Sequence, residues 1–339
     1  MTRPIAAPAL LLAGIYTAAL FAGFLSPGSP AWQDRRFPGA PPMRPHFVDA
    51  SGVFHFRPFV YEWEGSPDKP QGYREYALPI PIRFFVRGEP YSIAGVADTD
   101  LHLFGVAAPR TLHALGTDSY GRDVLARLLF GGQMSLLGGL VGTAISLSLA
   151  VVLGGCSGYF GGLIDGILMR AVDLLLAVPW MYLLFAVRAI LPLHLESSRA
   201  FLLLIAIIGA AGCARPARLI RGVTLRARER GWVAAARAFG ASDGWLLRKH
   251  VLPETHSVVF TQAAILAPQF VLAEVTLSFL GLGAGEPLPS WGGMLASAAG
   301  SDLMAGRWWL LSPGLALTVF CWACFALASA LRDTPRNVS

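Results

Sequence analysis

Apolar residues along this chain gather into runs of about 20, the length of a bilayer-crossing helix rather than of a globular core element. Six such runs stand out, at residues 5–25, 135–159, 168–191, 200–216, 258–282 and 308–331. The pattern predicts an all-α polytopic membrane protein with six transmembrane helices. The third run is interrupted by Asp173, Pro179 and Arg188, so part of its length must face protein or water. The first run reads as a retained anchor, residues 1–26, rather than a cleaved signal peptide. Its apolar stretch is longer than a signal-peptide core, and Ser26-Pro27-Gly28-Ser29-Pro30 follows without a small-x-small cleavage site.

Composition agrees with a membrane protein. Of 339 residues, 54% are hydrophobic and 14% charged, and the mean hydropathy is +0.54. A chain this apolar cannot remain disordered, and its low charge argues against a soluble enzyme. The net charge of +6 would suggest nucleic acid in a soluble chain, but in a membrane chain it marks cytoplasmic loops. Residues 214–256 hold nine basic residues (Arg215, Arg218, Arg221, Arg226, Arg228, Arg230, Arg237, Arg248 and Lys249) against Glu229, Asp243 and Glu254. That loop is therefore placed in the cytoplasm. Six spans then put both termini inside, in agreement with Arg3, Arg332 and Arg336, and the long segment before the second span falls outside. All four cysteines lie in apolar runs, so no disulfide framework is expected, and Cys321 and Cys324 read as packing on the sixth helix.

The outer segment, residues 27–112, is a different material. Residues 27–45 are Pro-rich, whereas 53–63 and 80–87 partly alternate and read as short strands. Their prolines place them at sheet edges. A small β-containing extracytoplasmic insertion between helices 1 and 2 is the result. It serves either contact with an outside protein, gating of the entrance, or packing alone.

The cytoplasmic loop carries the strongest pattern. Trp232, Ala235, Ala236 and Phe239 fall at i, i+3, i+4 and i+7, one apolar stripe on a helix. Gly240 follows where a left-handed helix stop needs no Cβ. Ser242 can N-cap a second short helix from Asp243 to about His250, with Pro253 at its end. Such an L-shaped pair of helices suits docking into a groove on a partner, or is merely a solvated amphipathic loop. It resembles the EAA loop of ABC-transporter permeases, the membrane subunits of binding-protein-dependent importers. Ala235, Ala236, Gly240, Leu252 and Pro253 stand at the spacing of that pattern, while Ala234 replaces its Glu and His250 its Ile. In that family the loop docks onto the ATPase subunit, so the resemblance makes Ala234, Ala235, Ala236, Phe239, Gly240, Leu252 and Pro253 the coupling residues.

A second segment, Gly116-Thr117-Asp118-Ser119-Tyr120-Gly121-Arg122-Asp123-Val124, resembles the segment before the second span of dipeptide and oligopeptide permeases of the OppC/DppC type. Thr117 can cap a helix, and Asp118 with Arg122 and Asp123 with Arg127 are i,i+4 acid–base pairs. The expected product is a helix along the outer membrane surface, serving as an anchor or touching ligand. Residues 169–173, 273–283 and 289–292 resemble the same family, and with 113–335 matching well the permease domain is assigned there. Within the spans, Arg170 and Asp173 can pair on one helix face, and Glu274 either lines a pathway or makes an interhelical hydrogen bond.

No P-loop, metal-ligand cluster or catalytic constellation occurs in the sequence. The resemblance therefore implies a permease of the MetI-like type, not itself an enzyme, in an ATP-driven importer of peptides or related small solutes across the inner membrane. It implies a second permease of the OppB/DppB type, two ABC ATPase subunits that hold ATP and Mg, an extracytoplasmic substrate-binding protein and the lipid bilayer as partners, with no nucleic acid. The competing classes are a membrane-embedded enzyme and an autonomous channel.

Overall fold

The computed structural model describes residues 3–65, 73–93, 95–108, 110–190, 197–283, 285–286, 288–299 and 306–333. Lys69, Leu191 and Arg336 lie outside them, as do the side chains of Arg3 and Arg188. Every predicted apolar run carries helix. α1 (Arg3–Leu20) and its short continuation α2 (Ala22–Leu25) fill the first. α3 (Val124–Phe160) fills the second and begins eleven residues earlier than the apolar run, through the sequence after Asp123. Three stretches, Val124–Phe160, Asp243–Phe279 and Trp308–Arg332, are each long and apolar enough to cross a membrane.

The other runs are broken, each for a local reason. In the third, Pro179 parts α4 (Gly162–Ala177) from α5 (Trp180–Ile190). Val178 before it is extended at ψ 122°, because a following proline ring crowds the helical conformation. In the fourth, α6 (Ser197–Gly212) gives way to α7 (Ala214–Arg228) with a bend of 40°. The run was expected to end at Pro216. Instead the helix continues, since Pro216 falls in the first turn of α7, where a missing N–H has no intrahelical acceptor to lose.

Two compact units emerge: Met1–Leu12 with Leu137–Glu274 and Phe320–Ser339, and Ala13–Leu136 with Val275–Val319. In the first, α3, α4 and α7 pack through Ala150, Val172, Cys213, Ala214, Ala217 and Ile220. Gly154 and Gly158, one turn apart on α3, let α7 approach closely. A Cβ on Gly158 would stand 2.7 Å from the Arg221 carbonyl oxygen, so the pair acts as a small-xxx-small contact.

In the second unit, β1 (His46–Val48), β2 (Phe54–Glu64) and β3 (Arg74–Pro81) form an antiparallel sheet with β2 in the centre. β4 (Arg83–Ile93) and β5 (Ala97–Gly105) form a separate hairpin. The single strand expected over 80–87 is therefore two, belonging to different sheets. Pro58 also sits in a central strand, not at an edge. The β1–β2 register shifts between His46 and Val48, where β1 faces this part of β2, and such an irregularity accommodates a residue that cannot donate to the ladder. Val60, Trp63, Tyr73 and Ile80 pack with Phe37, Ala40, Met43 and Leu112.

The segment 116–123 is the knot of this unit, and it is not the expected helix. Gly116 (φ 69°) and Gly121 (φ 76°) hold it in tight turns, and helix starts only at Val124. Thr117 caps no helix. Its hydroxyl donates to the Phe37 carbonyl at 2.5 Å and accepts from the Ala40 amide at 2.8 Å, while its own carbonyl accepts from the Trp309 indole at 3.0 Å. The cap is Asp123, whose carboxylate accepts from the Ala126 amide at 2.7 Å and meets His113 at 3.0 Å instead of Arg127. Asp118 does pair with Arg122 at 2.7 Å, across a turn. Arg122 and Arg127, 6% and 3% exposed at the side chain, both reach Glu286, at 2.7 and 2.9 Å.

A Cβ on Gly121 would collide with the Asp34 carbonyl, whereas Gly52, also at positive φ (83°), has nothing nearby. Both Gly→Ala substitutions incur the left-handed backbone cost of about 1–2 kcal/mol. Gly121→Ala should therefore lower the unfolding midpoint of the solubilised protein clearly further than Gly52→Ala, and equal shifts would mean that the Asp34 backbone yields. Glu286 gives a pH test. Burial would raise its carboxyl, but hydrogen bonding and charge from Arg127 and Arg122 outweigh that and hold it below the ordinary value of 4.5. A carboxylate with a depressed pKa stabilises the fold fully above its unfolded value, and that contribution fades as pH falls through the folded one. The melting temperature should thus drop as pH is lowered below about 4.5, and the drop should be shallower in Glu286→Gln, which starts lower.

Candidate functional site: the helical knob of the basic loop

The chain leaves α7 at Glu229 and turns immediately into α8 (Gly231–Ala238). The end of α8 is a Schellman motif. Ala241 N–H donates to the Ala236 carbonyl at 3.1 Å and Gly240 N–H to the Arg237 carbonyl at 3.0 Å. Gly240 between them has φ 89°, a conformation that only glycine takes without strain. Ser242, extended at ψ 148°, precedes α9 (Asp243–Leu246) but makes no side-chain cap bond.

The second helix does not stop at Pro253. A π turn over Leu247–Val251 and a 3-10 turn over Leu252–Thr255 carry it directly into α10 (His256–Phe279). Proline has no N–H to give the carbonyl four residues back. A local π widening, followed by a 3-10 turn with Pro253 at its start, absorbs that vacancy without ending the helix.

Packing separates two faces of the knob. Val233, Leu246 and Val251 are fully buried against Tyr159 and Ala227, with Ala236, Ala241 and Leu252 beside them. Tyr159, at the end of α3, pins both arms: its hydroxyl donates to Asp243 at 2.7 Å and accepts from Arg237 at 3.0 Å. Its carbonyl accepts from Arg228 at 2.8 Å. The opposite face is bare. Trp232 is 39% exposed, Trp245 48% and Phe239 93%, and Ala234, Ala235 and Gly240 are exposed as well. His250 lies between two indoles, 5.4 Å from Trp232 and 4.6 Å from Trp245 by ring centroids, so it fills an aromatic slot where the family pattern has Ile.

The expected stripe is thus divided. Trp232, Ala235 and Phe239 look outward and Ala236 inward, and the residue that anchors α8, Val233, was not in the stripe. Tyr159 and Trp245 were missed too. Trp245 stands five residues before His250, off the i,i+3 and i,i+4 contacts of an α-helix, and nothing in the sequence pointed to Tyr159, which lies 84 residues from its partner Asp243.

The polar residues of the spans pair differently from expectation. Asp173 meets Arg218 of α7, not Arg170, which is exposed. Helix α7 brings a row of arginines to α4, since Arg221 also binds Asp165 with two bonds of 2.6 and 2.5 Å, and Ser157 donates to the same carboxylate. A guanidinium three residues away on the same helix loses to one that a packed neighbouring helix brings to the carboxylate. Glu274 of α10 is 1% exposed. Gly116, Thr117, Asp118, Gly121, Arg122 and Asp123 are brought together in the knot described above, away from the loop in sequence and in a different compact unit. Among the described residues no cluster of His, Cys, Asp and Glu could hold a metal ion.

A family model, the binding-protein-dependent transport system inner membrane component, matches residues 150–334. The oligopeptide transport system permease protein OppC of Haemophilus influenzae is 37% identical over 239 residues, covering 70% of this chain and 74% of that protein. The dipeptide transport system permease protein DppC of Bacillus subtilis is 31% identical over 245 residues, covering 72% and 73%. A chain of the MetNI methionine ABC transporter, solved in an inward-facing form, aligns with 61% of this chain and 95% of its own at 17% identity and a TM-score of 0.44. With more than half of its length under that family model and curated relatives above 30% identity across most of theirs, the chain belongs to the binding-protein-dependent transport system inner membrane components, proteins of transport rather than enzymes.

Proposed function

We propose that this chain is one of two permease subunits of an ATP-driven peptide importer, and that the knob of residues 231–253 docks into its ATPase. The observation that carries the reading is the bare face of α8 and α9. Trp232, Ala235, Phe239 and Trp245 are apolar and uncovered at the end of a rigid turn, while the inward face is fastened to Tyr159. Aromatic anchors beside small residues are the usual make-up of a docking hot spot. The relatives named as oligopeptide, dipeptide and glutathione permeases support peptides as cargo. ATP and Mg are held by the separate ATPase chains, a binding protein delivers substrate from outside, and the knob passes the closing motion of the ATPases to α10.

In this reading the chain has six spans: α1 with α2, α3, α4 with α5, α6 with the start of α7, α10, and α11 (Ser312–Asp333). Both termini and the basic loop lie in the cytoplasm of the inner membrane, with the strand-bearing insertion outside. A topology reporter placed after residue 235 should then report cytoplasm, and one placed at Gly52 should report the outer side. Both on one side would remove the six-span arrangement.

The coupling role has a sharper test. Gly240→Val forces a β-branched residue into the left-handed region, so the Schellman turn must change, with a local cost on the order of 1–2 kcal/mol. Ala235→Asp leaves the turn intact but buries a charge in the contact. Each variant should still insert in the membrane, yet lose most ATPase co-purification and nearly all uptake into vesicles, whereas Ala241→Ser should stay close to wild type. Normal uptake by both variants would mean that the knob does not couple hydrolysis to transport.

A further inference from the structure

α1 and α2 together run from Arg3 to Leu25, about 30 Å of helix, which matches one hydrocarbon core. On the reading that this helix crosses the bilayer, residues 20–26 stand at its outer surface. The β4–β5 hairpin is fastened to that point. His102, 4% exposed, lies with Nδ1 2.9 Å from the Gly23 carbonyl oxygen and 2.6 Å from that of Ser26. Nε2 in turn lies 3.1 Å from the Glu89 carbonyl oxygen, so the ring faces carbonyl acceptors on both sides and either nitrogen can donate. The Tyr91 ring packs on Gly23 so closely that any Cβ there would collide with it. Phe85 of β4 and Phe24 of α2 stand 6.4 Å apart by ring centroids.

The hairpin end beside this attachment is apolar and bare. Phe84 is 61% exposed and Phe85 65%, and on the helix Leu20 and Phe21 are 46% and 38% exposed. Phe85 has φ 55°, a backbone state that no other non-glycine residue takes among the described residues and that bulky side chains rarely adopt. Both consecutive aromatic rings remain uncovered as a result of the local geometry. Arg83 and Arg87 flank them, are exposed, and have no acidic partner among the described residues. Uncovered aromatic rings with unpaired guanidiniums, at the level where a spanning helix leaves the hydrocarbon, are the chemistry of a membrane interface.

We propose that the β4–β5 hairpin rests on the outer leaflet, with Phe84 and Phe85 in the headgroup–acyl boundary and Arg83 and Arg87 on lipid phosphates. The inference rests on α1 and α2 spanning the bilayer. A protein partner over the same patch would have to supply both an apolar cup and two acids at a depth already occupied by lipid headgroups.

Nitroxide labels on the whole transporter in lipid vesicles test it. The four native cysteines are replaced by alanine, and one cysteine is introduced at Leu10, Phe84 or Arg83. Leu10, 72% exposed on α1, reads the spanning helix itself. Power saturation with oxygen, which enters lipid, and with a water-soluble nickel chelate gives the depth of each label. Leu10 should lie deep, Phe84 just inside the phosphate plane with an oxygen-to-chelate ratio several-fold above that of the label free in water, and Arg83 at the plane. Arg83→Cys also keeps the test alive if Phe84→Cys fails to accumulate. A Leu10 label in water would overturn the spanning helix. A Leu10 label in lipid, with the Phe84 and Arg83 labels in water or shielded from both relaxers by a partner subunit, would overturn the placement of the hairpin alone.

Discussion

Two guanidiniums buried in one place set the architecture of the unit that holds the strands. Arg122 and Arg127 are almost wholly removed from solvent, and a buried cation is tolerable only when fully paired. Asp118 is local, but Glu286 comes from 159 residues away. The need to neutralise both charges therefore ties the start of α3 to the segment after α10. The same knot fixes the insertion, because Thr117 bonds the 37–40 segment on one side and Trp309 on the other. What resembles a family signature in the sequence is in physical terms a crossing point where three distant stretches exchange hydrogen bonds.

Glycine at positive φ does two different jobs in this chain. At Gly116 and Gly121 it lets the backbone of another segment come close, because a side chain would occupy the space of Ala40 or Asp34. At Gly240 nothing is near, and only the handedness of the turn demands glycine. The first kind is a packing constraint within the unit. The second sets the angle between two helices and leaves the surface around it clear.

Helix content and the Gly240 turn were legible in the sequence because both follow from local rules: apolar run length, and a glycine where an amphipathic stripe ends. The partners of charged residues were not. Asp173 chose Arg218 over Arg170, and Asp123 chose His113 over Arg127, since an i,i+3 or i,i+4 contact contributes only a few tenths of a kcal/mol and yields to any well-placed neighbour brought by folding. The strand limits failed for a similar reason. Residues 80–87 read as one partly alternating run, and only pairing with two different sheets reveals the break at Ile82. Among the residues of the knob, Val233 escaped notice because the stripe read most easily from the sequence was the one left uncovered.

The π turn at Leu247–Val251 has a consequence for phase. It takes up one residue more than an α-helix would over the same arc, and each residue of an α-helix corresponds to about 100° of rotation. The turn therefore fixes the azimuth of Trp245 relative to the faces of α10. A chain one residue shorter here would keep every apolar contact residue and every charge, yet would aim the aromatic face of the knob at a different quadrant. Length between Asp243 and His256, as much as the identity of the residues in it, sets where that face points.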